Sequence, residues 1–162
     1  MDRIDIDAML DRAEYDHPFW YPFAVDIPAN SQNTQQLTIS SDADFLCQYI
    51  TGRYTTLDVA GADAGVCGLS LQIIDMGFSV PLIDALANCA LFLSPGRQRT
   101  STVAGDPSHQ LFFPIELDHV FLSQSTIELR YANNQATENR LELLFMGRKL
   151  RRKFQQAPIN QQ

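Results

Sequence analysis

Only a few side chains in this 162-residue chain have the types and spacing for chemistry: three histidines, three cysteines and several close acid pairs. Asp118-His119 is followed by Ser123 and Ser125, the residue types of a triad in which a carboxylate orients an imidazole that deprotonates a hydroxyl. No nucleophile-elbow sequence holds either serine at a strand-to-helix turn, so His119 reads as a turn residue between two strands. His17, His109 and His119 are too scattered to form a metal-ligand pattern. Asp42/Asp44 and Asp58/Asp63 carry the oxygen chemistry that calcium needs, without the spacing of a calcium loop; turn formation accounts for them better. Gly61-Ala62-Asp63-Ala64-Gly65 lacks the lysine of a phosphate loop and sets an acid where phosphate would sit. Cys47, Cys67 and Cys89 are odd in number, far apart and flanked by apolar neighbours, which reads as burial of small hydrophobic residues. No catalytic residue, metal or cofactor is implied, and the reading is non-enzymatic.

Charge is the stronger signal. The net charge is −7, yet Arg148, Lys149, Arg151, Arg152 and Lys153 hold five of the twelve basic residues, and without them the chain stands at −12. The first sixteen residues carry Asp2, Asp5, Asp7, Asp11, Glu14 and Asp16 against Arg3 and Arg12. An acidic beginning and a basic end suit contacts between copies or with a neighbour, screened by salt. The basic cluster has the charge to meet phosphates, but the rest of the chain repels a polyanion, and only Phe154 interleaves an aromatic ring with it. An acidic protein surface is the better partner, with a plain solubilising end as the alternative. The apolar runs stop well short of the ~18 residues that span a bilayer, and an acidic start does not suit a signal peptide, so a soluble, cytosolic product is expected.

The elements that position these groups are nearly all strands. Ile127, Leu129 and Tyr131 alternate with Thr126, Glu128 and Arg130; Leu141, Leu143 and Phe145 repeat the pattern after the polar turn at Asn133-Asn134-Gln135. Strands are also expected over Phe19 to Ile27, Thr34 to Ser40, Phe45 to Tyr54 and Leu69 to Ile73, the last closed by Asp75-Met76-Gly77. Ile6, Met9, Leu10 and Ala13 have the i, i+3, i+4, i+7 spacing of one short amphipathic helix over residues 4 to 15, ended by Asp16-His17-Pro18. Pro81 to Phe92 also has helical spacing, and residues 94 to 109 read as a long exposed loop. In Phe19-Trp20-Tyr21-Pro22-Phe23, core packing is the default, making Trp20 a buried reporter, while Trp and Tyr beside Pro also suit an interface anchor. The expected organisation is a helical arm (1–17), an antiparallel two-sheet β-sandwich (18–150) and an extended basic C-terminal tail (151–162). A jelly roll is favoured over an immunoglobulin-like sandwich.

Trp20-Tyr21-Pro22-Phe23, Thr34-Gln35-Gln36-Leu37-Thr38-Ile39 and Asp42-Ala43-Asp44-Phe45 are followed by Phe113-Pro114, Ser125-Thr126-Ile127-Glu128-Leu129 and a final Leu141-Glu142-Leu143-Leu144-Phe145-Met146-Gly147-Arg148-Lys149-Leu150. In that order, over roughly residues 18 to 150, they resemble small virion structural proteins of tailed bacteriophages. The resemblance implies a jelly-roll cement, or decoration, protein on the capsid exterior that clamps neighbouring major capsid subunits, made in the host cytoplasm. A portal, neck or tail position, or a carbohydrate-binding receptor-recognition module, are the alternatives. The partner-binding residues then expected are Ile6, Met9, Leu10 and Trp20 as apolar contacts, and Arg148, Lys149, Arg151, Arg152 and Lys153 for register and on-rate. A dimer through edge strands is also expected, with no membrane partner and nucleic acid disfavoured.

Overall fold

Phe19, Tyr21, Phe23, Val25 and Ile27 alternate with Trp20, Pro22, Ala24 and Asp26, and this period of two sends one set to the interior and the other to solvent. The computed structural model describes residues 13–56, 68–95 and 114–152. Strand β1 (Ala13–Ile27) leads through a tight turn to β2 (Ser31–Thr38); then come β3 (Asp44–Thr56), β4 (Leu69–Asp75) and three two-residue strands, β5 (Val80–Pro81), β6 (Ala87–Asn88) and β7 (Ser94–Pro95). The chain closes with β8 (Ile115–Phe121), β9 (Thr126–Asn133) and β10 (Asn139–Arg152). One sheet runs β1-β10-β3, with β8 and the short parallel β7 both against β3. The other runs β2-β9-β4, with β5 and β6 both against β4. Among the described residues every pairing apart from that of β7 is antiparallel. The protein is an all-β, two-sheet structure.

The core lies between the sheets. Phe45, Cys47, Ile50, Leu141, Leu143 and Phe145 of one sheet meet Leu69, Leu71, Ile73, Ile127, Leu129 and Tyr131 of the other. Fully burying each large side chain contributes about 1.5–3 kcal/mol relative to exposure. A chain of aromatic contacts runs edge-to-face from Phe19 to Tyr21 and from Tyr21 to Phe45, each at 4.9 Å between centroids, then through a stacked Phe45–Phe121 pair to an edge-to-face Phe145. The Tyr21 hydroxyl meets Ser40 Oγ at 2.8 Å and accepts the Ser40 N–H at 2.9 Å, so this ring satisfies its polar end without leaving the core.

Several expectations are corrected. Residues 13–15, expected to be helical, form the start of β1, and the strand continues through Asp16-His17-Pro18 instead of beginning after it. Pairing with β10, from Ala13 opposite Arg152 onward, supplies hydrogen bonds that outweigh a marginal three-turn helix. The remainder of that helix, Ile6, Met9 and Leu10 included, lies outside the described residues. Trp20 is not a buried reporter: it is 62% exposed, because Tyr21 takes the inward position. Pro81 to Phe92 is not helical either. Leu82 and Ile83 both donate their N–H to the Ile73 carbonyl, and only a short 3-10 turn, Cys89–Leu91, is capped by Asn88 Oδ1. The apolar stripe fails there, since Leu91 is 80% exposed. His119 belongs to β8, not to a turn. Strand β10 also extends past residue 150 to Arg152.

Candidate functional site

Acid–base chemistry comes first, because the sequence raises it. His119 pairs not with Asp118 but with Asp75, whose Oδ2 lies 2.8 Å from the imidazole Nε2. Asp75 is fully buried, and its other oxygen accepts the Gly77 N–H at 2.8 Å. The pair ties β8 of one sheet to β4 of the other. The Ser125 hydroxyl is turned to the Leu122 carbonyl, to which it donates at 2.6 Å, and the Ser123 backbone N–H donates to Asp44 Oδ1 at 2.8 Å. The arrangement orients an imidazole and joins the two sheets. No signal in the sequence couples Asp75 to His119, since the contact spans 44 residues.

The carboxylate pair Asp42/Asp44 is split. Asp44 is held by Ser123, while Asp42 accepts two hydrogen bonds from Lys149 Nζ, at 2.9 and 3.1 Å. Among the described residues no group of three or more His, Cys, Asp and Glu side chains is placed to hold a metal ion. Asp58, Asp63, the 61–65 glycine loop, Cys67 and His109 lie outside the described residues. Cys47 and Cys89 are buried, as the apolar neighbours suggest, and burial pushes the Cys47 thiol up to about 12.

What remains is a surface. In the antiparallel register Trp20 stands opposite Met146, and Met146 opposite Tyr49, so three outward side chains form one row across β1, β10 and β3. The row spans roughly 10 Å, two strand spacings. Trp20 is 62% exposed and Tyr49 38%. Beside it runs a second row, Pro22, Leu144 and Thr51. Tyr49 reaches this face only through an irregularity: Met146 pairs with Tyr49 but Gly147 pairs with Cys47, so Gln48 is an extra residue in β3. The bulge leaves Cys47 in the core and turns Tyr49 outward. Gly147 fits it because an added Cβ would sit 1.9 Å from the Leu46 carbonyl oxygen.

Charges frame the apolar rows. At one end Glu142 pairs with Arg53 and lies 3.5 Å from Arg140, which in turn reaches Asp26 at 3.3 Å. The hydrogen bond from Arg53 holds the Glu142 carboxyl below its usual range, and Glu142 raises the Arg53 guanidinium correspondingly. At the other end the exposed Arg148 stands opposite Pro18 and Leu46. Beyond it Leu46, Val120 and Leu150 are buried although they lie outside the core cluster, so the accessible apolar stretch ends at Arg148.

The predicted contact residues therefore separate. Trp20 and Arg148 share the outer face. Lys149 is on the opposite face, its Nζ 4.0 Å from the Phe19 ring centroid and paired with Asp42, committed within the protein. Arg151 and Arg152 end β10. Ile6, Met9, Leu10 and Lys153 lie outside the described residues. Met146, Tyr49, Leu144 and Pro22 complete this face without being among the expected contacts; alternation with Phe145 is the legible signal for Met146, whereas Tyr49 depends on the bulge. No protein-family model, no curated protein and no solved structure matches this chain.

Proposed function

We propose that this protein is a non-enzymatic structural protein that docks through the Trp20–Met146–Tyr49 face onto a repeating protein lattice, acting as a capsid cement protein of a tailed bacteriophage. The observation that carries the docking reading is the exposed row itself: a tryptophan and a tyrosine flank a flexible methionine on a sheet surface bounded by arginines, the side chains that dominate protein interfaces. The strand order supports a jelly roll. If β5 and β6 are taken as one interrupted strand and β7 is set aside, β1-β10-β3-β8 facing β2-β9-β4-β5 follows the interleaving of two Greek keys. The ordered motifs from Trp20 to Leu150 supply the phage and capsid part of the reading, with the major capsid protein as partner and the capsid exterior as location.

The energetics fit repeated, modest contacts. Covering a tryptophan exposed to this degree removes on the order of 150 Å² from water, a gross gain near 4 kcal/mol before the costs of association. Bridging two lattice neighbours then adds effective concentration without new contacts. Trp20→Ala removes the anchor while leaving Tyr21 in the core. Its binding to purified shells of the major capsid protein, measured by cosedimentation, is expected to weaken roughly 30-fold, about 2 kcal/mol. Wild-type affinity in the folded variant would overturn the assignment of this face.

A further inference from the structure

Among the described residues the two sheets leave three long strands at their margins, β1, β2 and β8, and two of them carry features that oppose further pairing. Strand β1 contains Pro18 and Pro22, which offer no N–H, and its register with β10 is broken between Ala13 and Asp16. Strand β8 presents Glu116 and Asp118, and Asp118 sits at φ 44°, a left-handed kink that spoils a straight edge. Strand β2 has neither device. Its eight residues, Ser31-Gln32-Asn33-Thr34-Gln35-Gln36-Leu37-Thr38, include no proline and no charge in a chain of net charge −7. From Gln32 to Gln36 every side chain is exposed, and among the described residues only β9 pairs with it.

The direction of its free groups follows from the ladder. The Ile39 N–H donates to the Ser125 carbonyl, on the β9 side, so odd-numbered residues of β2 face β9 and even-numbered ones face outward. Thr34 agrees: its N–H is taken not by β9 but by Asn33 Oδ1 at 2.7 Å. Gln32, Gln36 and Thr38 thus direct their N–H and carbonyl groups at the open edge.

We propose that β2 is the two-fold interface of a homodimer, in which the second copy's β2 pairs antiparallel to it and joins the two β2-β9-β4 sheets into one. A second copy fits because the strand is neutral and self-complementary, so isologous pairing sets no like charges against each other; pairing through β8 would oppose acids. Pairing at β2 also leaves the Trp20 row free, because that row lies on the outer face of the other sheet. The inference does not rest on that row's function: a monomer that still docks through Trp20 removes the dimer alone.

The test is sedimentation velocity of the full chain across a concentration series, with two variants checked for fold by circular dichroism. Gln36→Pro removes an outward N–H and leaves the β9 ladder its donors. Thr34→Glu gains Arg130, its cross-strand partner, within its own chain, but brings two carboxylates together at the middle of the paired strands. The expected result is a species of twice the 18.2 kDa chain mass, its dissociation constant raised at least about tenfold by each folded variant and unchanged by Trp20→Ala. If Gln36→Pro does not fold, Thr34→Glu decides alone. A wild-type monomer at about 100 µM, or a dimer of undiminished strength in every folded variant, would overturn the proposal.

Discussion

Asn133 is a buried polar residue whose loss the structure makes costly. It is buried at the end of β9, and its Nδ2 lies 2.8 Å from the Thr137 carbonyl, 3.0 Å from that of Pro28 and 3.1 Å from that of Ile27. Its Oδ1 accepts from the Gln135 N–H at 3.0 Å and from Asn139 Nδ2 at 3.2 Å. One side chain thereby fixes the β1–β2 turn to the β9–β10 turn, a junction that the Asn30 N–H to Gln135 carbonyl bond also supports. Asn133→Ala breaks this junction. Two amide hydrogens serve at most two of the three carbonyls well, and Asn139 keeps other acceptors in Gln135 Oε1 and the Thr137 carbonyl, so the net loss is two to three hydrogen bonds. At about 1 kcal/mol each, with buried groups left unpaired, the cost is roughly 3 kcal/mol. In equilibrium urea unfolding of the full chain, the midpoint should fall accordingly with an unchanged slope, and thermal unfolding should drop by roughly 10 °C. Asn133→Asp, the same size but an acceptor facing carbonyl oxygens, should do no better at neutral pH. A loss below about 1 kcal/mol in the alanine variant would refute the junction.

Gly147→Ala should be worse than any surface change. Its Cβ meets backbone atoms of Leu46 and Cys47 that cannot swing aside, so loss of more than about 3 kcal/mol, or failure to fold, is expected in the same unfolding assay. Hydrogen bonds from Ser40 and then Lys149 lower the Asp42 carboxyl to about 2. Its folded value lies below the unfolded one, so the stabilisation is present above pH about 4 and is lost as pH falls toward 2. Because Asp42 is well exposed this amounts to no more than about 1 kcal/mol, and Asp42→Asn should flatten that stretch of the stability curve. Cys47 and Cys89 should resist alkylation at pH 8 in the native protein and react once it is unfolded; rapid native labelling of either, located by peptide mapping, would contradict their burial.

How far the sequence could be read depended on whether an element's partner mattered. Ile127, Leu129 and Tyr131, and then Leu141, Leu143 and Phe145, announce their buried faces by alternation alone, and the structure buries all six. In Phe19-Trp20-Tyr21-Pro22-Phe23 aromatic residues fall on both faces, so alternation does not say which side is the core; Phe45 packing against Tyr21 decides it. Tyr49 was illegible because a one-residue bulge at Gln48 reverses its face, and a bulge exists only relative to a neighbouring strand. The Asp75–His119 tie and the Asn133 junction join segments far apart in the chain, which periodicity cannot detect. Pro81 to Phe92 misleads for a different reason: over so short a stretch, helical spacing also arises from a winding segment that buries Leu82 and Ile83 in part and leaves Leu91 in solvent.

Whether this sandwich binds a capsid lattice, as proposed, is decided by the copy number of the chain in purified virions, measured by quantitative densitometry against the major capsid protein. Roughly one copy for every one or two capsid subunits is expected of a cement protein. About a dozen copies would move the protein to a ring at the neck or tail and contradict the cement assignment, and its absence from the particle would contradict the virion reading altogether.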